Sequence, residues 1–192
     1  MVRSKESVVT PERFAQGVGY HEYVGSLEKR RDKYEGDYAG FSLTPQEIAE
    51  FKALIERPNG PAKVAVITEL WCPDCWREVP VMARLAEAAG LELRVFARDA
   101  NLDIMEEFLR QGEFQSIPVF VFYTRDHRYI AHWIERSATA DEGMVEVRRI
   151  FEGRTREEAQ PDYDKFQLGP VWDGWKHATV RELIDLLEPK TR

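Results

Sequence analysis

The amino-acid sequence predicts an α/β fold in which a mixed β-sheet carries helices on both of its faces. From residue 62 onward, apolar β-branched runs alternate with segments of helical periodicity, in the order strand, helix, strand, helix. Two further strand-like runs follow one another across a polar turn, which is typical of a hairpin. Helix-linked and hairpin-linked strands in one sheet give both parallel and antiparallel pairs. The 192 residues are enough to bury a core without structural disulfides.

The N-terminal part of the chain, residues 1–60, is predicted to be a helical extension packed on that core. Apolar residues recur at helical spacing over residues 20–27, and a charged, solvated continuation follows. Thr44 and Glu47 have the spacing of a capping box, and Pro45 stands at the first helical position. A further helix is therefore predicted to begin there and to end at the next turn rich in Pro and Gly.

The strands of the sheet are predicted at four apolar runs, "AKVAVITEL", "LELRVFARD", "IPVFVFYT" and "RYIAHWIER". The first run is almost continuously apolar, as expected of a central strand covered on both faces. One helix is predicted from Pro73 to about Ala89, between the first two strands, and another around residues 101–112. These elements form the core of the predicted α/β unit.

The C-terminal part is predicted to add helices to this core. One helix is expected over residues 141–158, and the last begins at the capping sequence that starts with Thr179. Residues 160–178 have no period, so an ordered loop rich in aromatic residues is predicted there. Residues 61–192 are predicted to form a single structural unit.

Composition and charge exclude several classes of function. The net charge is -7, and the basic residues are interspersed with acids, which argues against nucleic-acid binding. The chain start has no apolar stretch of signal-peptide length, and no later apolar run could span a bilayer. We therefore expect a cytoplasmic protein without a membrane partner. In that reducing environment, two cysteines at C-x-x-C spacing are more often catalytic or metal-binding than structural.

The two cysteines, Cys72 and Cys75, are placed where thiol chemistry is favoured. The first predicted strand runs into Cys72, and Pro73 follows at the position where a helix best tolerates proline. Unpaired amides and the helix dipole at such a terminus favour the thiolate. Cys75 lies one helical turn further on, within reach of a mixed disulfide formed at Cys72. The spacing supplies an attacking and a resolving thiol.

Two other interpretations of this pair remain open. A structural zinc site needs four ligands, but the histidines do not form a paired motif near the cysteines, so no metal site is predicted. They are scattered at His21, His127, His132 and His177. Alternatively, the cysteines are merely small buried apolar residues, although their place between a strand and a helix argues against this.

Residues 62–136 contain "WCPDC" after a strand, Pro80 five residues beyond the second cysteine, and Pro118 at the start of the third strand. In these three features the segment resembles the thioredoxin superfamily. With the helical lead-in "YHEYV", the chain resembles a bacterial group of thioredoxin-like proteins that carry an N-terminal helical extension. The resemblance implies a three-layer α/β/α fold.

The resemblance also implies roles for the residues around the motif. In thioredoxins the proline at the place of Pro80 kinks the active-site helix, and the one at the place of Pro118 is cis and lies against the cysteine pair. Such a bond would turn the backbone of Ile117 toward Cys72, where it could pair with an incoming peptide. Trp71 precedes the first cysteine as in the family motif.

The sequence departs from thioredoxins at three places. A buried aspartate of the family is replaced by Val66. We expect Glu69, on the opposite face of the strand, to pair with Arg98 near the active site. The pair either tunes the reactivity of the thiols, with Glu69 as a candidate general base, or is only a structural ion pair. Asp74 stands between the two cysteines, where its negative charge is expected to oppose a thiolate at Cys72.

The resemblance implies a cytoplasmic thiol-disulfide oxidoreductase that reduces protein disulfides through Cys72 and Cys75. Its expected partners are disulfide-containing proteins and an electron-donating reductase or glutathione, with no cofactor beyond the redox-active disulfide itself. One alternative is a glutaredoxin-like reductase that uses glutathione. Another is a redox-sensing interaction module, in which the cysteine pair controls binding and does not catalyse turnover. The partner surface of such a module would include the aromatic side chains within residues 160–178. Packing of these aromatics on the core is the favoured expectation.

Overall fold

The computed structural model describes residues 7–192, and the first six residues of the predicted extension lie outside this range. The strands are β1 (Lys63–Thr68), β2 (Glu92–Ala97), β3 (Val119–Tyr123) and β4 (Tyr129–Ile134). The helices are α1 (Pro11–Phe14), α2 (Tyr20–Ser26), α3 (Arg31–Gly40), α4 (Pro45–Ile55), α5 (Pro73–Ala89), α6 (Leu102–Met105), α7 (Ala138–Phe151), α8 (Arg156–Gln167) and α9 (Pro170–Leu187). Short 3₁₀ helices, Arg98–Ala100 and Glu188–Lys190, follow β2 and α9.

The sheet has the strand order β2-β1-β3-β4 and confirms the predicted mixed topology. β1 pairs in parallel with β2 and antiparallel with β3, and β3 pairs antiparallel with β4. β1 is thus a central strand, and residues 64–68 are all buried. Because β1 leads directly toward the cysteine pair, the most buried part of the sheet anchors the site.

Helix α5 is held from several sides. It contacts α3, α4 and α9, as well as β1 and β2, while α9 also packs on β4 and α2 on β2. The apolar side chains of the sheet and of these helices form one continuous core, which confirms the predicted α/β class. No helix within residues 7–192 has the length and apolar composition needed to cross a bilayer.

The N-terminal helices agree with prediction at α4 and differ at α3. The hydroxyl of Thr44 accepts a hydrogen bond from the amide of Glu47, and Pro45 is the first residue of α4. The charged stretch, expected only as a continuation of the preceding helix, forms the separate helix α3 and buries Tyr34. The break between α2 and α3 includes Arg30, whose φ of 63° is left-handed and cannot continue a helix.

The helix predicted over residues 101–112 is wrong in its length. Only α6 is helical there, and the chain continues through turns with hydrogen bonds between residues i and i+3. Gln111 and Gly112 have φ values of 57° and 76°, which direct the chain out of a right-handed helix. The turn brings the chain to the segment that precedes β3.

The single helix predicted over residues 141–158 is two helices, α7 and α8. α7 ends before Glu152, whose backbone is extended, and Gly153 then turns the chain with a φ of 67°, a conformation that glycine adopts without strain. Thr155 then caps α8, and its hydroxyl accepts a hydrogen bond from the amide of Glu158 in a capping box. The sequence contains both signals, Gly153 and the capping box at Thr155. The prediction of a single helix followed the spacing of the apolar residues and did not use them.

The loop predicted over residues 160–178 is also wrong, because α8 and α9 cover most of it. α9 begins at Pro170 and passes through Thr179, where the last helix was expected to begin. Lys176 and Thr179 lie on its buried face, and these polar residues interrupt the apolar period from which a helix is predicted. The amine of Lys176 lies 2.8 Å from a carboxylate oxygen of Asp37, which compensates its burial.

The C-terminal aromatic residues pack together between α7, α8 and α9. Tyr163, Trp172 and Trp175 are buried, and Phe166 packs against them, which confirms packing as the favoured interpretation. The ring centroids of the two tryptophans are 5.6 Å apart. A Cβ on Gly143 of α7 would collide with the indole ring of Trp175. The absence of a side chain at that position therefore allows α7 to approach α9.

Candidate active site

The cysteine pair lies at the N-terminus of α5, as predicted. Cys72 is the N-cap residue, and its Sγ accepts a hydrogen bond from the amide of Cys75 at 3.4 Å. Pro73 occupies the first helical position, and Pro80 lies inside α5. Both cysteines are free thiols. The first turn of α5 thus directs a backbone amide at the sulfur of Cys72.

Pro118 lies against the pair, as the resemblance implied. The Ile117–Pro118 peptide bond is cis. The carbonyl oxygen of Ile117 lies 3.4 Å from Sγ of Cys72, whose thiol donates to it. The turn before β3 therefore places backbone beside the first cysteine of the pair.

The two thiols have different surroundings. Cys72 is 6% exposed, whereas Cys75 is 0% exposed. Burial raises the pKa of the Cys75 thiol well above its ordinary value, and the adjacent Cys72 adds to this through its hydrogen bond and charge, while Thr68 opposes it. The thiolate of Cys75 is therefore disfavoured in the reduced protein. The geometry suits Cys72 as the attacking thiol.

We expect alkylation to mark Cys72 before Cys75. With limiting iodoacetamide at neutral pH, the reduced protein should carry the label on Cys72 at least about tenfold more often than on Cys75, because reaction requires an accessible thiolate. Peptide mass spectrometry measures the ratio. The same protein unfolded in urea, where both thiols are solvated, serves as the control and should show nearly equal labelling. Preferential labelling of Cys75 in the folded protein would reverse the assigned roles.

A tyrosine from the N-terminal helices reaches the site, and sequence reasoning missed it. The hydroxyl of Tyr34 lies 3.1 Å from Oγ1 of Thr68, and it donates to the carbonyl oxygen of Glu69 at 3.2 Å. Burial raises the pKa of Tyr34 and keeps its hydroxyl protonated. Because Thr68 also interacts with Cys75, this hydroxyl pair connects α3 to the buried thiol. The only sequence signal was that Tyr34 is one of two tyrosines within a charged stretch.

The predicted pair between Glu69 and Arg98 is wrong. Oε1 of Glu69 accepts a hydrogen bond from the backbone amide of Asp99 at 2.8 Å. Arg98 instead donates to the carboxylate of Asp99 at 2.6 Å, and its guanidinium lies 4.7 Å from the ring centroid of Trp71. The 3₁₀ turn after β2 causes this, because it presents the amide of Asp99 to Glu69. Trp71 is 49% exposed beside the cysteine pair.

The expected charge of Asp74 is balanced by two arginines. Its Oδ1 accepts from Nη2 of Arg77 at 2.8 Å, and its Oδ2 accepts from Nη2 of Arg136 at 2.7 Å. Arg136 follows β4 and also pairs with Glu135. The prediction that Asp74 opposes a thiolate at Cys72 left out these partners. The three side chains together place no uncompensated negative charge between the cysteines.

Arg77 is buried within α5 and connects the site to the C-terminal aromatics. It is 0% exposed, and its Nε donates to Oε1 of Glu78 at 2.5 Å. Its guanidinium lies 4.5 Å from the ring centroid of Trp172 and 5.3 Å from that of Trp175. Burial raises the pKa of Glu78 to about 7, although Arg77 acts in the opposite direction. Sequence reasoning missed this group and assigned no role to Arg77 or Glu78.

Other predictions for the site concern acids and metals. Val66 lies buried in β1, paired with Val95 and Phe120, so the place of the buried aspartate of thioredoxins is apolar here. Within residues 7–192, no group of three or more His, Cys, Asp or Glu side chains is arranged to hold a metal ion. What the site brings together is the cysteine pair, the carbonyl of Ile117 and the balanced Asp74.

The family comparison agrees with this geometry. The sequence model of a family described as thioredoxin matches residues 17–153 of the chain. The chain belongs to this thioredoxin family. The match contains both cysteines and Pro118, and it begins early enough to include the helices α2, α3 and α4. This thioredoxin-family segment ends just after α7, so that α8 and α9 lie outside it.

Two solved structures resemble the thioredoxin-family chain over nearly its whole length. A protein of unknown function from Pseudomonas aeruginosa, with a crystal structure at 1.5 Å, is 16% identical with a TM-score of 0.64, covering 92% of this chain and 95% of that one. An HIV epitope scaffold is 18% identical with a TM-score of 0.63, covering 93% and 96%. At such identities, the similarity concerns the fold alone. A search of curated proteins finds no match.

Proposed function

We propose that the protein is a thiol-disulfide oxidoreductase of the cytoplasm that reduces disulfides in other proteins. The observation that carries this proposal is the asymmetry of the pair. Cys72 caps α5 and keeps a small exposed surface, while Cys75 is fully buried one turn away with a raised pKa. Dithiol exchange requires such a pair, in which the more exposed thiol attacks and the buried thiol resolves.

The first step forms a mixed disulfide. The thiolate of Cys72 attacks one sulfur of the substrate disulfide, the substrate S–S bond breaks, and the departing sulfur takes a proton from solvent. The amide of Cys75, which donates to Sγ of Cys72, stabilises the attacking thiolate. The backbone at Ile117 lies beside this sulfur, where it can position the substrate chain.

The second step releases the substrate. Cys75 loses its proton and attacks Sγ of Cys72, and the second substrate sulfur leaves as a thiolate that takes up a proton. The result is a reduced substrate dithiol and a Cys72–Cys75 disulfide, so two electrons have moved from the protein to the substrate. The hydroxyl of Thr68 acts on the Cys75 thiol and lies 3.1 Å from the hydroxyl of Tyr34. An external thiol donor must then reduce the pair again.

A coupled turnover assay tests this function and identifies the class of electron donor. The protein is given insulin as the disulfide substrate, with either thioredoxin reductase and NADPH or reduced glutathione as the source of electrons. We expect turnover with the reductase system, measured as NADPH consumption and insulin precipitation. Cys72→Ser is the matched control and should be inactive, because it removes the attacking thiol.

The other outcomes are also informative. Turnover with glutathione alone would favour a glutaredoxin-like reductase with the same cysteine pair. Failure with both donors, while the pair still cycles between its oxidised and reduced forms, would contradict the reductase and leave a redox sensor. The assay therefore separates the candidate functions by a measured rate.

A further inference from the structure

A cavity of about 330 Å³ lies directly beside the redox pair. It is enclosed by the first turn of α5 and by helices α7, α8 and α9. Pro73 and Asp74, the two residues between the cysteines, form part of its wall. A group bound in this cavity would therefore lie next to a disulfide under attack by Cys72.

The walls of the cavity are mainly apolar. Six of the ten lining residues are apolar or aromatic, namely Pro73, Met144, Val147, Phe151, Tyr163 and Trp172, and the other four are Asp74, Arg77, Arg156 and Gln160. Burial of a matching apolar side chain here would remove both surfaces from water, a favourable contribution for each binding partner. The volume is at the lower end of the range for small-molecule pockets, so one large side chain fits better than an entire disulfide-containing molecule.

The charges at the cavity favour an acidic ligand. The carboxylate of Asp74 is balanced by its two arginines. Arg77, at the cavity wall, is fully buried, and its Nη1 has no hydrogen-bond partner among residues 7–192. Arg156 lies at the exposed rim, and its guanidinium forms no ion pair with any described carboxylate. The charge of Arg77 is already paired with Asp74 and Glu78, so the positive charge available to a ligand at this cavity is that of Arg156.

We infer that this cavity is a specificity subsite for an acidic polypeptide: it takes an aromatic or large aliphatic side chain adjacent to the disulfide cysteine, while a neighbouring carboxylate pairs with Arg156. This inference rests on the proposed reductase function. Arg156, Tyr163 and Trp172 lie outside the segment that the thioredoxin family model matches. The C-terminal helices of this chain thus complete the subsite, which selects substrates without changing the exchange of electrons.

Peptides with one internal disulfide test the apolar part. Two peptides carry Phe or Ala next to the cysteine, with Glu two residues further on, and the second-order rate of their reduction by the reduced protein is measured. We expect the Phe peptide to react about tenfold faster than the Ala peptide. Val147→Trp, which fills the cavity, should bring this ratio to about one. Val145→Trp is the matched control on an exposed part of α7 and should preserve the ratio.

Substitution of Arg156 at the rim of the cavity tests the proposed pairing with a substrate carboxylate. We expect Arg156→Gln to slow the Glu-containing Phe peptide about threefold, and to have no effect on a peptide in which Gln replaces that Glu. Arg148→Gln removes the same charge from an exposed position of α7 outside the cavity, and both peptides should react with it as with the wild type. Because Arg156 is exposed, its replacement leaves the fold intact even if Val147→Trp does not fold.

Each outcome supports or overturns a particular statement. If the wild type reduces no peptide and no protein disulfide, the proposed function itself fails. Reduction of all peptides at one rate would leave the function standing and overturn the subsite. A further probe is 5,5′-dithiobis(2-nitrobenzoate), a small aromatic disulfide with carboxylates. If Val147→Trp slows this probe about tenfold while the peptide ratio stays unchanged, the occupant is a small molecule, and the polypeptide assignment is wrong.

Discussion

Replacement of Arg77 by methionine is expected to lower the free energy of unfolding by about 3–5 kcal/mol. The substitution keeps most of the side-chain volume but removes the cation that contacts two carboxylates and two indole rings. Asp74 retains Arg136, whereas Glu78 remains buried without a cation. Urea unfolding followed by tryptophan fluorescence measures the change.

The stability lost in the Arg77→Met variant is expected to increase with pH, because Glu78 ionises as the pH rises. In the folded wild type, burial raises the pKa of Glu78 to about 7, above its value in the unfolded chain. Ionisation of Glu78 therefore lowers the free energy of unfolding as the pH rises toward 7. Arg77 lowers the pKa of Glu78, so this pKa is higher still in the Arg77→Met variant. The free energy of unfolding of the variant therefore continues to fall above pH 7. The difference between variant and wild type should therefore be smaller at pH 5 than at pH 8.

Two further variants make the Arg77 experiment decisive. Adding Glu78→Gln to Arg77→Met should recover much of the loss and its pH dependence, because no buried carboxylate is left to ionise. Arg31→Met is the control: its guanidinium pairs with Glu35 on the surface of α3, and we expect a loss below about 0.5 kcal/mol. An Arg77→Met variant as stable as Arg31→Met at every pH would show that the buried charges are not the determinant described above.

Cys75→Ser is expected to trap substrates, because it permits the first exchange and removes the second. In a cell lysate, this variant should accumulate mixed disulfides that appear on non-reducing gels and vanish with dithiothreitol. Turnover with a protein disulfide should fall by at least about 10³-fold. The trapped proteins can then be identified by mass spectrometry.

Cys72→Ser is the matched variant for the trapping experiment. It leaves only the buried Cys75, whose raised pKa disfavours the thiolate, so few mixed disulfides should form. If both variants trap equally, neither thiol is specialised, and the role assigned to the N-terminus of α5 is wrong. If Cys75→Ser traps nothing while the wild type still cycles between its redox forms, the reductase proposal yields to a sensor.

Local sequence signals predicted most of the sheet and the cysteine pair. β-branched runs located the four strands, and the proline after Cys72 correctly placed the start of α5. The same reasoning failed at α9, where Lys176 and Thr179 stand on a buried face. Their burial depends on partners distant in the sequence, such as Asp37, and a periodicity of apolar residues contains no information about them.

The charges around the site were the least predictable part. Glu69 and Arg98 have suitable positions for an ion pair, but a single 3₁₀ turn gives each of them another partner in Asp99. Tyr34 reaches the site from a helix about 40 residues earlier in the chain. Such pairings depend on turn geometry and on tertiary contacts, which spacing along the sequence does not determine.

The contact between Arg77 and the two indoles limits how segments of this chain can be exchanged with those of other family members. The arginine lies inside the segment shared with the thioredoxin family, whereas Trp172 and Trp175 lie beyond its end. A transplanted active-site helix would carry a cation without the rings that cover it, whereas Trp172 and Trp175 would keep only their aromatic neighbours in the C-terminal helices. Substitutions of Arg77 and of the two tryptophans are therefore expected to be non-additive.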